Sequence, residues 1–156
     1  MQALIKDGKS ATCDRWAPVQ AEAEQAPAGH IATLSQWQAL ADKRDSAVQI
    51  EPGEGIEPLL EHLDALELVA VSFPVFTDGR GFSYGRELRE RGYRGELRAV
   101  GHFLPDQVYY LRRCGFDAFQ FADESRLEEG LRQYQVFSDA YQASIDQPLP
   151  LFRRRA

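Results

Sequence analysis

Leu66-Glu67-Leu68-Val69-Ala70-Val71-Ser72-Phe73 is the most apolar run of the chain, and the polar loop Val75-Phe76-Thr77-Asp78-Gly79-Arg80-Gly81-Phe82-Ser83 follows it. Bulky side chains at odd and even positions alike mark a strand covered on both faces, as in the interior of a parallel sheet. From Ser83 to Arg91 the pattern turns helical, with Gly92 placed as a C′ glycine. The loop is therefore read as the turn from a buried parallel strand into a crossover helix, the place where α/β proteins gather ligands.

The same alternation extends to both sides. Upstream, His30 to Leu34 reads as a strand. Ser35-Gln36-Trp37-Gln38 reads as a capping box opening a helix to about Arg44. Ala47 to Ile50 is a second strand, and Ile56, Leu59, Leu60 and Leu63 give a second helix by their spacing. Downstream, Leu97 to Gly101 is a strand, and a helix from Pro105 turns Val108, Leu111 and Cys114 to the core before Gly115. Phe116 to Phe121 is the last strand, with Phe119 and Phe121 on one face and Gln120 on the other. Asp123 caps a final helix expected to reach Ser144, whose Tyr134, Phe137 and Tyr141 form an aromatic stripe read first as packing on the sheet and second as a partner surface.

These units predict a single α/β domain, with a mainly parallel sheet of about five strands and helices on both faces. A flavodoxin-like strand order is the first choice and a partial β/α barrel the second. Residues 30–145 form this domain. Residues 1–29 are an amino-terminal hairpin and linker, the hairpin turning at Asp7-Gly8, and 146–156 an extended basic tail.

Length and composition set limits on partners. A chain of 156 residues with 44% hydrophobic and 27% charged content can bury its own core. The formal charge of −6 disfavours nucleic acid, which asks for a net basic face. Cys13 and Cys114 stand apart, with no Cys/His ligand spacing, so neither a metal site nor a disulfide framework is expected. Cys114 reads as a core thiol. The first residues carry too short an apolar run for a signal peptide, and no stretch is long enough to span a bilayer. A cytoplasmic protein without membrane contact is expected.

Candidate chemistry gathers on the rim where the strands end. Thr77, Gly79, Arg80, Gly81 and Ser83 are read as an anion cradle at a helix start, for a small oxyanion or a phosphate group. Asp78, His102 and Asp106 are the candidate proton-handling residues beside it. The opposing reading is that the glycines shape the turn, Ser83 caps the helix and Asp78 pairs with Arg80. No dinucleotide fingerprint, P-loop, cluster or haem motif is present, whereas FMN, which needs no strict motif, stays open.

Phe73-Pro74-Val75-Phe76-Thr77-Asp78-Gly79-Arg80-Gly81-Phe82-Ser83, with Leu88-Arg89-Glu90-Arg91, Gly95-Glu96-Leu97-Arg98-Ala99, Asp106-Gln107 and Arg113-Cys114-Gly115-Phe116-Asp117-Ala118-Phe119, closely resembles a bacterial family catalogued as domain of unknown function 934. The resemblance covers about residues 30–125, and more weakly the Leu4-Ile5-Lys6-Asp7-Gly8 segment. It implies an association with assimilatory sulfite reduction, because members are typically encoded beside the sulfite reductase haemoprotein and are labelled as oxidoreductases of that step. An accessory or oxidoreductase-type protein is thus expected, the alternative being a non-catalytic partner or maturation factor of the reductase.

Overall fold

The computed structural model describes residues 2–12, 14–137 and 139–154. Its framework is one seven-stranded sheet in the order β2-β1-β7-β6-β5-β4-β3. The strands are β1 (Leu4–Lys6), β2 (Lys9–Ala11), β3 (Ala32–Thr33), β4 (Ser46–Ile50), β5 (Leu66–Phe73), β6 (Glu96–Gly101) and β7 (Ala118–Phe121). From β3 to β7 every neighbour pair is parallel. The amino-terminal hairpin joins the sheet as an antiparallel edge, with β1 alongside β7. Its turn is the one the sequence indicates, with Asp7 and Gly8 both at positive φ.

The α/β class is as expected, but the order differs from the flavodoxin-like first choice. The parallel strands follow one another in sequence order, as in a segment of β/α barrel, and no switch point exists among them. The helices also do not cover both faces. Right-handed crossovers between consecutive neighbours all fall on one side. Accordingly Trp37, Leu59, Leu88, Val108 and Leu111, from every connection between parallel strands, join one core cluster with Val48, Val69, Val71, Leu97 and Phe119. Each of those aromatic and aliphatic side chains contributes about 1.5–3 kcal/mol by leaving water.

The connections themselves are shorter than the periodicity suggests. Helix α1 (Leu34–Gln38) is capped by Thr33 rather than Ser35. Thr33 Oγ1 accepts from the Gln36 amide at 3.2 Å, and Gln36 Oε1 from the Thr33 amide at 2.9 Å. This box wins because Gln36 Nε2 also reaches the carbonyls of Gln20 and Ala23, fastening the amino-terminal segment. Residues Glu57–Ala65 are 3-10 turns broken at His62 rather than an α-helix. Helix α2 is Arg80–Glu90, and α3 (Val108–Arg113) follows a 3-10 turn at Pro105–Gln107. Cys114 is buried, as expected, and burial raises its thiol pKa above the usual value, only partly offset by the Tyr110 hydroxyl.

Helix α4 (Leu127–Tyr134) ends well before Ser144. The buried Arg113 takes over the following chain. Its guanidinium donates to the Gln142 carbonyl and to Asp146 Oδ1 at 2.5 Å, while Ser144 Oγ donates to the Arg113 carbonyl at 2.7 Å. That fastening holds residues 142–146 off the helical path, so of the expected stripe only Tyr134 reaches the core, and Phe137 and Tyr141 are exposed. The tail is not extended either: Leu151–Arg154 forms a short α5, with Arg154 paired to Asp139 at 2.5 Å. Cys13 and the tail residue Arg155 lie outside the described residues.

The second face of the sheet is covered by the segment expected to be a linker. Trp16 and Val19 pack on Ile31, Ala47, Leu68 and Ala70, and Ala17 pairs with the 29–31 backbone. Beneath this strap Arg98 of β6 is fully buried, at 0% exposure. Its guanidinium holds Glu96 and Asp14, each at 2.5 Å, and Glu96 also takes Lys6 at 2.5 Å. Burial raises the Asp14 carboxyl pKa, but the Arg98 hydrogen bond and charge outweigh it and hold it below the usual range. A group with a depressed folded pKa stabilises the protein above its unfolded value, and that stability is lost as pH falls through the folded one. Asp14→Asn is therefore expected to cost about 1.5–3 kcal/mol near pH 7 in urea denaturation. The deficit shrinks as pH falls below about 3.9. An undiminished deficit in acid would show that the Asp14 charge is not what matters.

Candidate functional site

The rim at the carboxyl ends of β5, β6 and β7 carries the candidate residues, because consecutive parallel strands deliver their outgoing loops to the same edge. After β5, the loop runs through Thr77 to α2. The helix begins at Arg80, so Gly79 is the N-cap and provides no side chain. Ser83 is therefore already inside the helix, exposed, and neither caps nor faces the helix start. Gly81 has a packing role: a Cβ there would lie 2.6 Å from the Phe73 ring and 3.0 Å from Val71. Gly79 stands in open space, and Thr77 is exposed.

Arg80 is turned back onto Asp78. Asp78 Oδ1 accepts from the Arg80 backbone amide at 3.1 Å and from Nε at 3.0 Å, while Oδ2 accepts from Nη2 at 2.7 Å. These bonds hold the Asp78 carboxyl below its usual range. The loop thus carries its own carboxylate where an oxyanion or an FMN phosphate was expected. An added anion there must displace Asp78.

His102 follows β6, and its backbone amide donates to the Phe73 carbonyl at 2.8 Å. Its side chain lines an outer cleft of about 330 Å3 with Phe76, Leu104, Asp123 and Arg126. Asp106 sits exposed on the neighbouring 3-10 turn and is not part of that lining. So the rim brings His102 together with Asp123 and Arg126, and leaves Asp78 and Asp106 outside the cleft. Asp123 caps the turn before α4, accepting from the Ser125 amide at 3.0 Å and hydroxyl at 2.6 Å.

A second, inner cleft of about 240 Å3 lies on the strap-covered face, among Gln2, Pro18, Gln49, Ser72, Gln120 and neighbours. Ser72, Gln49 and Arg126 were not singled out by sequence reasoning. The signal was present for Ser72 and Gln49, each a polar residue set among apolar neighbours in its strand. Arg126 gave none beyond its place three residues after the Asp123 cap.

A family model described as Bacterial protein of unknown function (DUF934) matches residues 47–152. The chain belongs to this family. The family match runs from β4 into α5, so both clefts lie mostly within it, whereas the hairpin and strap precede it. No curated protein and no solved structure matches the chain. Among the described residues no group of His, Cys, Asp and Glu side chains is placed to hold a metal ion, and no helix is long and apolar enough to cross a membrane.

The Asp78–Arg80 pair gives a direct test of the loop. Sulfite or phosphate is expected to shift the thermal midpoint of Asp78→Ala more than that of the wild-type protein, with the gain lost again in Asp78→Ala/Arg80→Ala. Equal shifts in all three proteins would place any anion site elsewhere.

Proposed function

We propose that the protein is a cytoplasmic accessory protein of assimilatory sulfite reduction, working at the sulfite reductase haemoprotein through the rim that carries the β5–α2 loop. The pathway is what the resemblance to this family implies, and the shape of the rim supports the accessory role. The observation that carries it is the tip of the loop. Val75 and Phe76 are adjacent, bulky and apolar, yet 53% and 49% exposed. The tip is also fixed, since Gln107 Nε2 donates to the Phe76 carbonyl at 3.0 Å.

A pre-ordered apolar tip flanked by charged side chains has the make-up of an interface centre with a polar rim, and its fixed backbone lowers the ordering cost of docking. The oxidoreductase-type reading, with a small oxyanion on residues 77–83, would require Asp78 to yield Arg80 to the substrate.

Purified protein and haemoprotein are expected to co-elute in size-exclusion chromatography. Val75→Ser/Phe76→Ser should weaken the complex by about tenfold or more while leaving the thermal midpoint in place. Absence of a complex at micromolar concentrations would end this proposal. So would a coloured preparation of the isolated protein that reduces sulfite without the haemoprotein.

A further inference from the structure

The inner and outer clefts are separated by very little. Gly101, the last residue of β6, lines both. It has φ +118, and a Cβ would lie 2.5 Å from the Phe73 carbonyl oxygen, so the position is held to glycine and the divide between the clefts carries no side chain. Beside it Ala122 of the inner lining donates its amide to the Gly101 carbonyl at 2.8 Å.

The two sides of this divide differ in chemistry. Among the described residues no charged side chain lines the inner cleft, which combines apolar Pro18, Ile31 and Val100 with amides and a hydroxyl. Those polar groups retain free capacity. The Ser72 hydroxyl has no hydrogen-bond partner among the described residues. Gln49 uses its Nε2 on Glu51 Oε1 at 2.7 Å, leaving its carbonyl oxygen unengaged. Gln120 donates one N–H to Gln2 Oε1 at 2.9 Å and keeps a second, its carbonyl facing Arg98 Nη1 at 3.4 Å. Gln120 is thus fixed by a buried guanidinium, so its free N–H has a set direction. Ser72 and Gln120 flank Val100 in one row across β5, β6 and β7.

The outer cleft sets one guanidinium, Arg126, and one carboxylate, Asp123, beside the His102 imidazole. Among the described residues the Arg126 guanidinium makes one polar contact, Nε to Asp123 Oδ2 at 3.6 Å, beyond hydrogen-bond length. Asp123 directs Oδ1 to Ser125 instead, and the His102 ring has no hydrogen-bond partner among the described residues. A guanidinium with unengaged Nη atoms beside an imidazole suits a phosphate monoester.

We infer that the two clefts are one binding site, for a small ligand with a neutral planar head that offers both hydrogen-bond donors and acceptors, and a phosphate monoester, as in a mononucleotide. The head lies against Gln49, Ser72 and Gln120, the chain crosses the divide at Gly101, and the phosphate meets Arg126 and His102. The volumes of about 240 and 330 Å3 together fall in the range of small-ligand sites. Both ends lie where consecutive parallel strands end, the head on the side that corresponds to the inside of a β/α barrel and the phosphate beside Phe103 and Phe121 of the helix-side core. This inference does not rest on docking by Val75 and Phe76, although Phe76 also lines the outer cleft.

Isothermal titration calorimetry with UMP, AMP and FMN as probes, beside uridine, adenosine, riboflavin and inorganic phosphate, tests it. At least one monophosphate is expected to saturate below about 1 mM and to bind about tenfold more tightly than both its dephosphorylated parent and inorganic phosphate. Arg126→Ala should bring monophosphate and parent to equal affinity. Ser72→Val should weaken both by about threefold to tenfold. Gln49→Leu repeats the measurement at a second head contact, and circular dichroism confirms that each variant is folded. Three results would overturn the inference: no monophosphate saturating in that range, inorganic phosphate binding as tightly as the monophosphates, or folded variants binding as the wild type does.

Discussion

A right-handed crossover between neighbouring parallel strands leaves its connection on one particular side of the sheet, and five parallel strands here follow each other in sequence order. Every helix and 3-10 turn between them is thereby committed to the same face. The other face is just as apolar at Ala47, Leu68 and Ala70, and no crossover can reach it. A closed barrel would bury such a face on itself, but a sheet of this width stays open. The segment around Trp16 and Val19 supplies the missing layer.

That layer is thin, and this accounts for the ionic chemistry beneath it. Arg98 occupies a second-face position of the central strand β6, where an aliphatic residue would be usual. Removing a guanidinium from water costs several kcal/mol unless partners surround it. Glu96 two residues earlier supplies one partner, and Asp14 of the strap supplies the other. The strap is therefore tied down by charge as well as by Trp16. At the opposite edge of the same layer Gln36 draws in the carbonyls of Gln20 and Ala23. Two specific anchors, rather than a broad apolar surface, decide where a segment with no helical or strand period of its own comes to rest.

The strands were legible because alternation survives in short segments. Phe119-Gln120-Phe121 and the Asp7-Gly8 turn needed no more than period and turn chemistry. Strand order was not legible, because one strand-helix string builds a flavodoxin-like sheet or a barrel segment equally well. Helix ends failed where tertiary contacts outweighed propensity. Thr33 replaced Ser35 as cap through the bonds of Gln36, and α4 stopped at Tyr134 because Arg113 takes the chain beyond it. For the candidate residues, placement on one rim was legible and partnership was not. The rim after β5, β6 and β7 could be located from the sequence, yet whether an arginine there is free or engaged depends on side-chain geometry that spacing leaves open.

The two rim arginines make that difference concrete. Arg80 and Arg126 each lie at a helical start beside an acid, Asp78 two residues before one and Asp123 three before the other. At a spacing of two, the carboxylate of Asp78 reaches the guanidinium and the helix-start amide together, with contacts of 2.7–3.1 Å. An acid tethered so closely acts at an effective concentration that a dissolved anion at millimolar levels or below scarcely matches. At a spacing of three, Asp123 is held by the Ser125 amide and hydroxyl, and its other oxygen stays 3.6 Å from Arg126. The residue that looks from sequence like the anion holder is the one already neutralised. The arginine left with unengaged donors is the one that opens into a cleft.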